Sequence, residues 1–408
     1  VAASDTFVIV GAGLAGAKAA EALREQGFDG RVVLIGKEVH LPYERPPLSK
    51  DYLAGNAERT SFEVHDEAWY TAHDIELRLG TEVLGIDRVG HEVELSDGTL
   101  LSYTKLLLAT GSSPRTLPIP GADADAVHYL RTVGDSERIR EVLGEGVRLV
   151  VIGAGWIGLE VAATARQSGA TVTVLEFAEL PLLRVLGPEV AAVFADLHRE
   201  NGVDLRLGVA TEEIVTEDGT VTGVRLADGT VVPADAVVIG IGAAPNTGLA
   251  EAAGLTVDDG VVVDSALRSS DADVFAVGDI ARAAHPTFGR LVRVEHWANA
   301  LNQPATAATA MLGNDAGYDE LPYFFTDQFD LGMEYVGLVE PGGYDRVVFR
   351  GNVPGREFIA FWLSGNRVLA GMNVNVWDVT EPIKALIRSG KEIDPDRLAD
   401  EHVPLDEL

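Results

Sequence analysis

The chain has 408 residues, 47% of them hydrophobic and 23% charged, a length for two or three domains and a balance that excludes a disordered chain or a coiled coil. Acidic residues outnumber basic ones by 63 to 32, and the net charge of −31 leaves no basic footprint for general nucleic-acid binding. Cysteine is absent, which removes disulfides, a thiolate nucleophile, a redox CxxC pair and any iron–sulfur cluster held by this chain's thiolates.

No apolar run reaches about 18 residues, and Val1 to Asp5 lead into a strand without the charged and apolar regions of a signal peptide. A cytoplasmic protein with no membrane partner is expected. Phe7–Val10 followed by Gly11, Gly13 and Gly16 (GAGLAG) predicts a strand, a tight turn and a helix that ends near Gly27. In this pattern the first glycine makes the turn, the second admits a pyrophosphate and the third brings helix against strand. The next strand ends at Gly36, and Glu38, just beyond Lys37, is the candidate for an adenosine ribose. Lys105 to Ala109 reads as a buried strand, closed by the small-residue turn Ala109-Thr110-Gly111. A domain boundary is placed near Ser113.

Leu149–Ile152 followed by Gly153, Gly155 and Gly158 (GAGWIG) repeats the first pattern, with Ile157 inside the loop and Gly169 closing its helix. Its following strand ends in Glu176, near the roughly 20-residue spacing of the acid that hydrogen-bonds an adenosine ribose. That carboxylate repels a 2′-phosphate, and no Arg or Lys lies between Phe177 and Leu183, so NADH is preferred over NADPH; Arg184 is a candidate for the phosphate region. Ala236 to Gly242 is the last strand of this unit, with Gly242 facing the dinucleotide.

Val261–Val263 and Val274–Val277 are expected to complete the first sheet, and Gly278-Asp279-Ile280 then starts a helix. Two dinucleotide units permit two nicotinamides, or one flavin and one nicotinamide. The carboxylate of Asp279, suited to ribityl hydroxyls, points to the flavin. From Tyr323 the chain turns to aromatic-rich strands at Gly337–Val339, Arg346–Phe349, Glu357–Trp362 and Arg367–Leu369, with hairpin turns at Gly342-Gly343 and Gly365-Asn366. Glu381–Ser389 reads as a helix capped by Gly390, and the acidic tail after Asp394 as a solvated surface. The nine histidines show no HxxxH or HExxH spacing, so no metal site is expected.

The stretches RPPLSK (Arg45–Lys50), LLLATG (Leu106–Gly111), YLRT (Tyr129–Thr132), GAGWIGLEVAA (Gly153–Ala163), IGAAPN (Ile241–Asn246), FAVGD (Phe275–Asp279), VEHWANAL (Val294–Leu301) and FFTDQF (Phe324–Phe329) give the whole chain its resemblance. It resembles the FAD-dependent NADH:ferredoxin reductases of the glutathione-reductase fold, which serve bacterial haem monooxygenases and Rieske dioxygenases. The fold implied is α/β: two Rossmann-like domains, residues 1–113 with 245–322 for FAD and 114–244 for NADH, and a C-terminal α+β domain at 323–408.

The resemblance carries FAD contacts onto Ala15, Lys50, Val83, Arg131, Asp279 and Trp297, with Arg45 beside them. Lys37 stands where relatives commonly have Asp, and Phe325 where a Trp is frequent. The activity implied is hydride transfer from NADH to FAD, then single electrons to a 2Fe-2S ferredoxin that feeds a cytochrome P450 or Rieske oxygenase. Lys50 and Glu160 are expected as a polar pair beside the flavin ring, with Glu160 in the first turn after Gly158, where the helix dipole favours its negative form, and Trp156 as an aromatic gate. Arg290 and Arg293 are the candidate basic patch for an acidic ferredoxin.

Within this fold, absence of cysteine removes disulfide, peroxide and coenzyme A disulfide reductases. A rubredoxin reductase, a nonspecific NADH:acceptor reductase and a redox sensor resembling apoptosis-inducing factor stay open. So does the choice between monomer and homodimer.

Overall fold

The computed structural model describes residues 5–408; the expectation for Val1 to Ser4 lies outside the described residues. The chain forms two compact units, one of the described residues up to Glu44 with Glu58–Ser113 and Ala244–Pro322, the other of Arg45–Ala57, Pro114–Ala243 and Tyr323–Leu408.

The first unit is built on a parallel five-stranded sheet in the order Val274–Ala276, Lys105–Leu108, Thr6–Val10, Arg31–Gly36 and Ile75–Leu79. Val8 pairs with Val33 on one side and Leu106 on the other, and all three are fully buried. Strands covered on both faces read as continuous apolar runs for this reason. The helix Leu14–Glu25 turns Ala17, Ala19 and Ala20 inward, where small side chains permit close packing.

Val261–Val263 is not in this sheet: it pairs with Ala281–His285 in a separate three-stranded sheet that ends on Arg290–Val292. The fifth place is filled by Ile75–Leu79, an edge strand whose alternating IELRL carries no apolar run. Gly278–Ile280 forms a single 3-10 turn instead of opening a long helix.

The second unit repeats the plan with parallel strands in the order Asp204–Leu207, Thr171–Glu176, Arg148–Ile152, Ala236–Ile239 and Val127–His128. The helix Trp156–Gln167 follows the second glycine loop. A longer helix, Leu183–Glu200, is broken at Gly187-Pro188, where Gly187 has φ 75°. Proline supplies no N–H, and the indole of the fully buried Trp362 donates to the Leu186 carbonyl at 3.0 Å.

Trp362 belongs to an antiparallel sheet in the order Tyr323–Gln328, Leu331–Gly337, Arg367–Val374, Glu357–Ser364 and Arg346–Asn352. Gly365-Asn366 makes a two-residue hairpin, with Ser364 opposite Arg367. Gly342-Gly343 does not: the strands on either side of it lie at different places in the sheet, so this segment is a crossover. Of the expected strand Gly337–Val339 only Gly337 is in a strand, as the last residue of Leu331–Gly337.

The helix Thr380–Ser389 ends at Gly390 with φ 57°, the left-handed cap that glycine favours. The acidic tail is docked rather than solvated. Leu398 is fully buried, and the Arg350 guanidinium donates to the carbonyls of Asp400 at 2.8 Å and Val403 at 2.7 Å, and at 3.4 Å to those of Leu398 and Glu401. Arg350→Met removes these charged donors, and a loss of about 2 kcal/mol in urea unfolding is expected. Limited proteolysis after Asp394 should speed up in the same variant.

Candidate functional site

In the first unit, backbone contact explains the glycines. A Cβ on Gly11 would sit 2.1 Å from the Ala109 carbonyl oxygen, and one on Gly16 would sit 1.9 Å from that of Gly11. A Cβ on Gly13 would meet nothing within 4 Å. Gly13 also caps the helix Leu14–Glu25 without a side-chain hydrogen bond. Open space over first-turn N–H groups is the cradle a diphosphate needs.

Other expected residues converge on this loop. Ala15 touches the turn at Gly278, since a Cβ there would lie 3.4 Å from the Ala15 methyl. Ser112 Oγ donates to the Asp279 carboxylate at 2.6 Å, leaving further acceptor positions for ribityl hydroxyls. The buried Gln303 accepts from the Gly278 N–H at 2.7 Å. Asn246 holds the Ala109-Thr110-Gly111 turn, donating to the Thr110 carbonyl at 2.8 Å, while Thr110 Oγ1 donates to the Asn246 carbonyl at 3.0 Å.

Glu38 accepts from the Tyr43 hydroxyl at 2.5 Å, while Lys37 pairs outward with Glu82 at 3.0 Å. Val83 is buried, and the Trp297 indole donates to Glu44 at 3.2 Å. Arg293 is a correction to the expected docking patch. Its guanidinium is nearly buried, ion-paired with Asp259 and Glu295 and donating to the Asp279 carbonyl, so its charge is already neutralised. Arg290 is exposed.

The second unit contains a buried ion pair. Lys50 Nζ lies 2.9 Å from Glu160, 3.3 Å from the Pro46 carbonyl and 5.5 Å from the centre of the Phe325 ring. Glu160, 3% exposed, also accepts from Ser49 Oγ and Thr326 Oγ1, each at 2.5 Å. Its helix begins at Trp156, which puts Glu160 in the second turn, not the first. Macrodipole support is weak there, so the carboxylate rests on its donors. Arg45 donates to the Arg131 carbonyl, and the Arg131 N–H to Asp135 at 3.0 Å. Trp156 is half-buried against Phe194 and Phe324, at ring separations of 5.5 and 5.0 Å.

The second glycine loop repeats the close approaches. A Cβ on Gly153 would lie 2.5 Å from the Gly240 carbonyl oxygen, and one on Gly158 2.1 Å from that of Gly153, while one on Gly155 would make only an ordinary 3.9 Å contact with the Gly240 carbonyl oxygen. Glu176 accepts from the Ala154 N–H at 2.7 Å and the Ala178 N–H at 2.8 Å, which fixes its carboxylate beside the loop. Ile157 and Phe177 are exposed, Gly242 has φ 103°, and Arg184 stands exposed on the kinked helix.

Ser112 and Gln303 carry no signal of their own in the sequence, because each meets its partner elsewhere in the chain, and Ser49 and Thr326 lie inside RPPLSK and FFTDQF without an assigned role. Asn246 lay inside a quoted stretch without a role. Among the described residues no group of His, Asp or Glu is arranged to hold a metal, and no helix is long and apolar enough to cross a membrane.

The open and closed glycines make separable predictions. Gly16→Ala should destabilise the protein by about 1–3 kcal/mol through overpacking. Gly13→Ala should leave the melting temperature of the apoprotein unchanged and weaken dinucleotide binding about tenfold, ~1.4 kcal/mol, by fluorescence titration.

The family model described as pyridine nucleotide-disulphide oxidoreductase matches residues 5–304, and one described as reductase C-terminal matches 323–408. The chain is 44% identical to putidaredoxin reductase of Pseudomonas putida, over 100% of this chain and 97% of that one. It is 45% identical to the ferredoxin--NAD(+) reductase component of the anthranilate 1,2-dioxygenase system of Burkholderia cepacia, over 98% of each chain. The crystal structure of the covalent putidaredoxin reductase–putidaredoxin complex matches with a TM-score of 0.94 at 42% identity, over 100% of this chain and 98% of that chain. The chain therefore belongs to the pyridine nucleotide-disulphide oxidoreductase family, among its ferredoxin--NAD(+) reductases.

Proposed function

We propose that this protein is an FAD-dependent NADH:ferredoxin reductase that supplies single electrons to a 2Fe-2S ferredoxin serving a cytochrome P450 or Rieske oxygenase. The observation that carries this reading is the buried Lys50–Glu160 ion pair in a chain without cysteine. A reductase of this family that acts through thiol exchange needs a thiolate; this chain offers charge instead. The two full-length relatives are named a putidaredoxin reductase and a ferredoxin--NAD(+) reductase component, which supports the acceptor.

The chemistry a bound FAD supplies is conversion between a two-electron donor and a one-electron acceptor. The residues present fit that group. The open cradle at Gly13 suits its diphosphate, Asp279 its ribityl chain, and Glu38 its adenosine ribose, with Ala15, Val83, Ala109, Thr110, Gly111 and Trp297 around them. The family resemblance assigns Arg45, Arg131 and Lys50 to FAD as well, Lys50 as a positive charge for the reduced ring.

Gly153, Gly155 and Gly158 would take the NADH diphosphate, with Ile157, Arg184 and Gly242 at its edges. Glu176, its carboxylate held by two backbone N–H groups, would accept from the ribose hydroxyls and repel a 2′-phosphate. On this reading residues 1–113 with 245–322 serve FAD and 114–244 serve NADH. The packing of Trp156 on Phe194 and Phe324 favours a wall over a gate. The cytoplasm, where NADH is regenerated, is the compartment this function requires.

Anaerobic rapid mixing with NADH, and separately NADPH, followed by a 2Fe-2S ferredoxin, tests the assignment. Fast flavin bleaching by NADH and fast cluster reduction are expected. Bleaching without cluster reduction would transfer the assignment to a rubredoxin or nonspecific acceptor, or to a redox sensor. Glu176→Ala should lower kcat/KM for NADH about tenfold, ~1.4 kcal/mol, and raise the NADPH-to-NADH ratio.

A further inference from the structure

One of the donors to Glu160 is itself the end of a longer chain of hydrogen bonds. Thr326 Oγ1 lies 2.5 Å from Glu160 Oε1, Gln328 Nε2 lies 3.2 Å from Thr326 Oγ1, and His198 Nε2 lies 2.9 Å from Gln328 Oε1. Thr326, Gln328 and His198 are 0, 1 and 0% exposed, so no water competes for these bonds.

The charged end dictates the direction of every link. An ionised carboxylate only accepts, so the Thr326 hydroxyl must donate to Glu160. That hydroxyl oxygen then accepts, which turns the amide N–H of Gln328 towards it. The Gln328 carbonyl therefore faces His198, whose proton must lie on Nε2. His198 Nδ1 is buried with no hydrogen-bond partner among the described residues, which a bare ring nitrogen tolerates better than an N–H. Burial also lowers the pKa of this histidine, against a smaller raising effect of its bond to Gln328. Aligned donors polarise one another, and here all point at the carboxylate that holds Lys50.

We infer that Thr326, Gln328 and His198 are positioning residues: a unidirectional hydrogen-bond chain that stabilises the Glu160 carboxylate and so sets the charge that Lys50 presents to the flavin. The last clause rests on the FAD assignment above. The tautomer of a histidine on the Leu183–Glu200 helix thereby becomes a determinant of how readily the flavin site accepts electrons. Each donor brings a positive dipole end towards Glu160. Removing one makes the site more negative and disfavours added electrons.

The test combines flavin potentiometry with NMR of 15N-histidine in the holoprotein. Wild type should show one neutral histidine protonated at Nε2 that is perturbed in Gln328→Leu. Thr326→Val should shift the two-electron midpoint potential about 30 mV more negative, a tenfold change in the reduction equilibrium. Thr326→Ser, which keeps the hydroxyl, should restore it. Gln328→Glu keeps the shape but draws the Thr326 hydroxyl away from Glu160, and should shift the potential in the same direction. Unchanged potentials in folded, flavin-loaded Thr326→Val and Gln328→Glu would overturn the proposal. A His198 proton on Nδ1 would overturn it in the wild type, even if no variant folds. A wild type without bound flavin would instead defeat the FAD assignment, while the tautomer would still decide the hydrogen-bond chain.

Discussion

A carboxylate taken out of water must be matched by donors or it will not stay charged, and Glu160 meets that demand with groups from two separate stretches of chain besides its own. Lys50 and Ser49 come from the segment after Arg45, Thr326 from the first strand of the C-terminal sheet, and Glu160 itself from the helix behind the second glycine loop. Satisfying one charge therefore ties together parts of the second unit that are far apart in sequence. Two further bonds reinforce the junction: Thr164 donates to the Ser49 carbonyl and Ser136 to that of Leu48, both at 2.8 Å. The lysine chosen to neutralise the acid is held by backbone and ring as well, so its position is over-determined.

The glycine loops impose a different constraint, steric rather than electrostatic. Each needs two glycines because backbone presses on backbone there, and one because a ligand must approach. The two loops use the same positions in the same way. In each unit the loop sits at the end of a buried parallel sheet, and its rigidity comes from that sheet. The polar clamps then differ. Ser112, Gln303 and Asn246 fix the first site, whereas the second relies on Glu176 gripping its own loop.

Much of this architecture was legible because its signals are local. Gly11 meets Gly16 and Gly153 meets Gly158 within a few residues, and buried parallel strands announce themselves as apolar runs. What was misread depends on partners that lie far off in the chain. The composition of Gly342-Gly343 reports that the chain turns, not which strand it meets next. Val261–Val263 is apolar in either sheet it might join, and Ile75–Leu79 hides its membership by alternating, as an edge strand does. Arg293 carries a charge in the sequence, but only folding brings Asp259 to it. The acidic tail looked solvated because Arg350, which holds it, stands on a distant strand. In the candidate site the glycines, Glu176, Asp279 and the Lys50–Glu160 pair were legible, whereas Ser112 and the hydroxyl donors of Glu160, Ser49 and Thr326, were not.

The grip of Glu176 on the backbone bears on how cofactor preference can change. On the assignment proposed above its carboxylate does two jobs at once: it would accept from the ribose, and it closes the loop by accepting from Ala154 and Ala178. Exchanging it for a basic residue to welcome a 2′-phosphate removes the acceptor for both amides. The loop that cradles the diphosphate then loosens as the new specificity is introduced. Cofactor preference and loop rigidity are therefore coupled through one side chain.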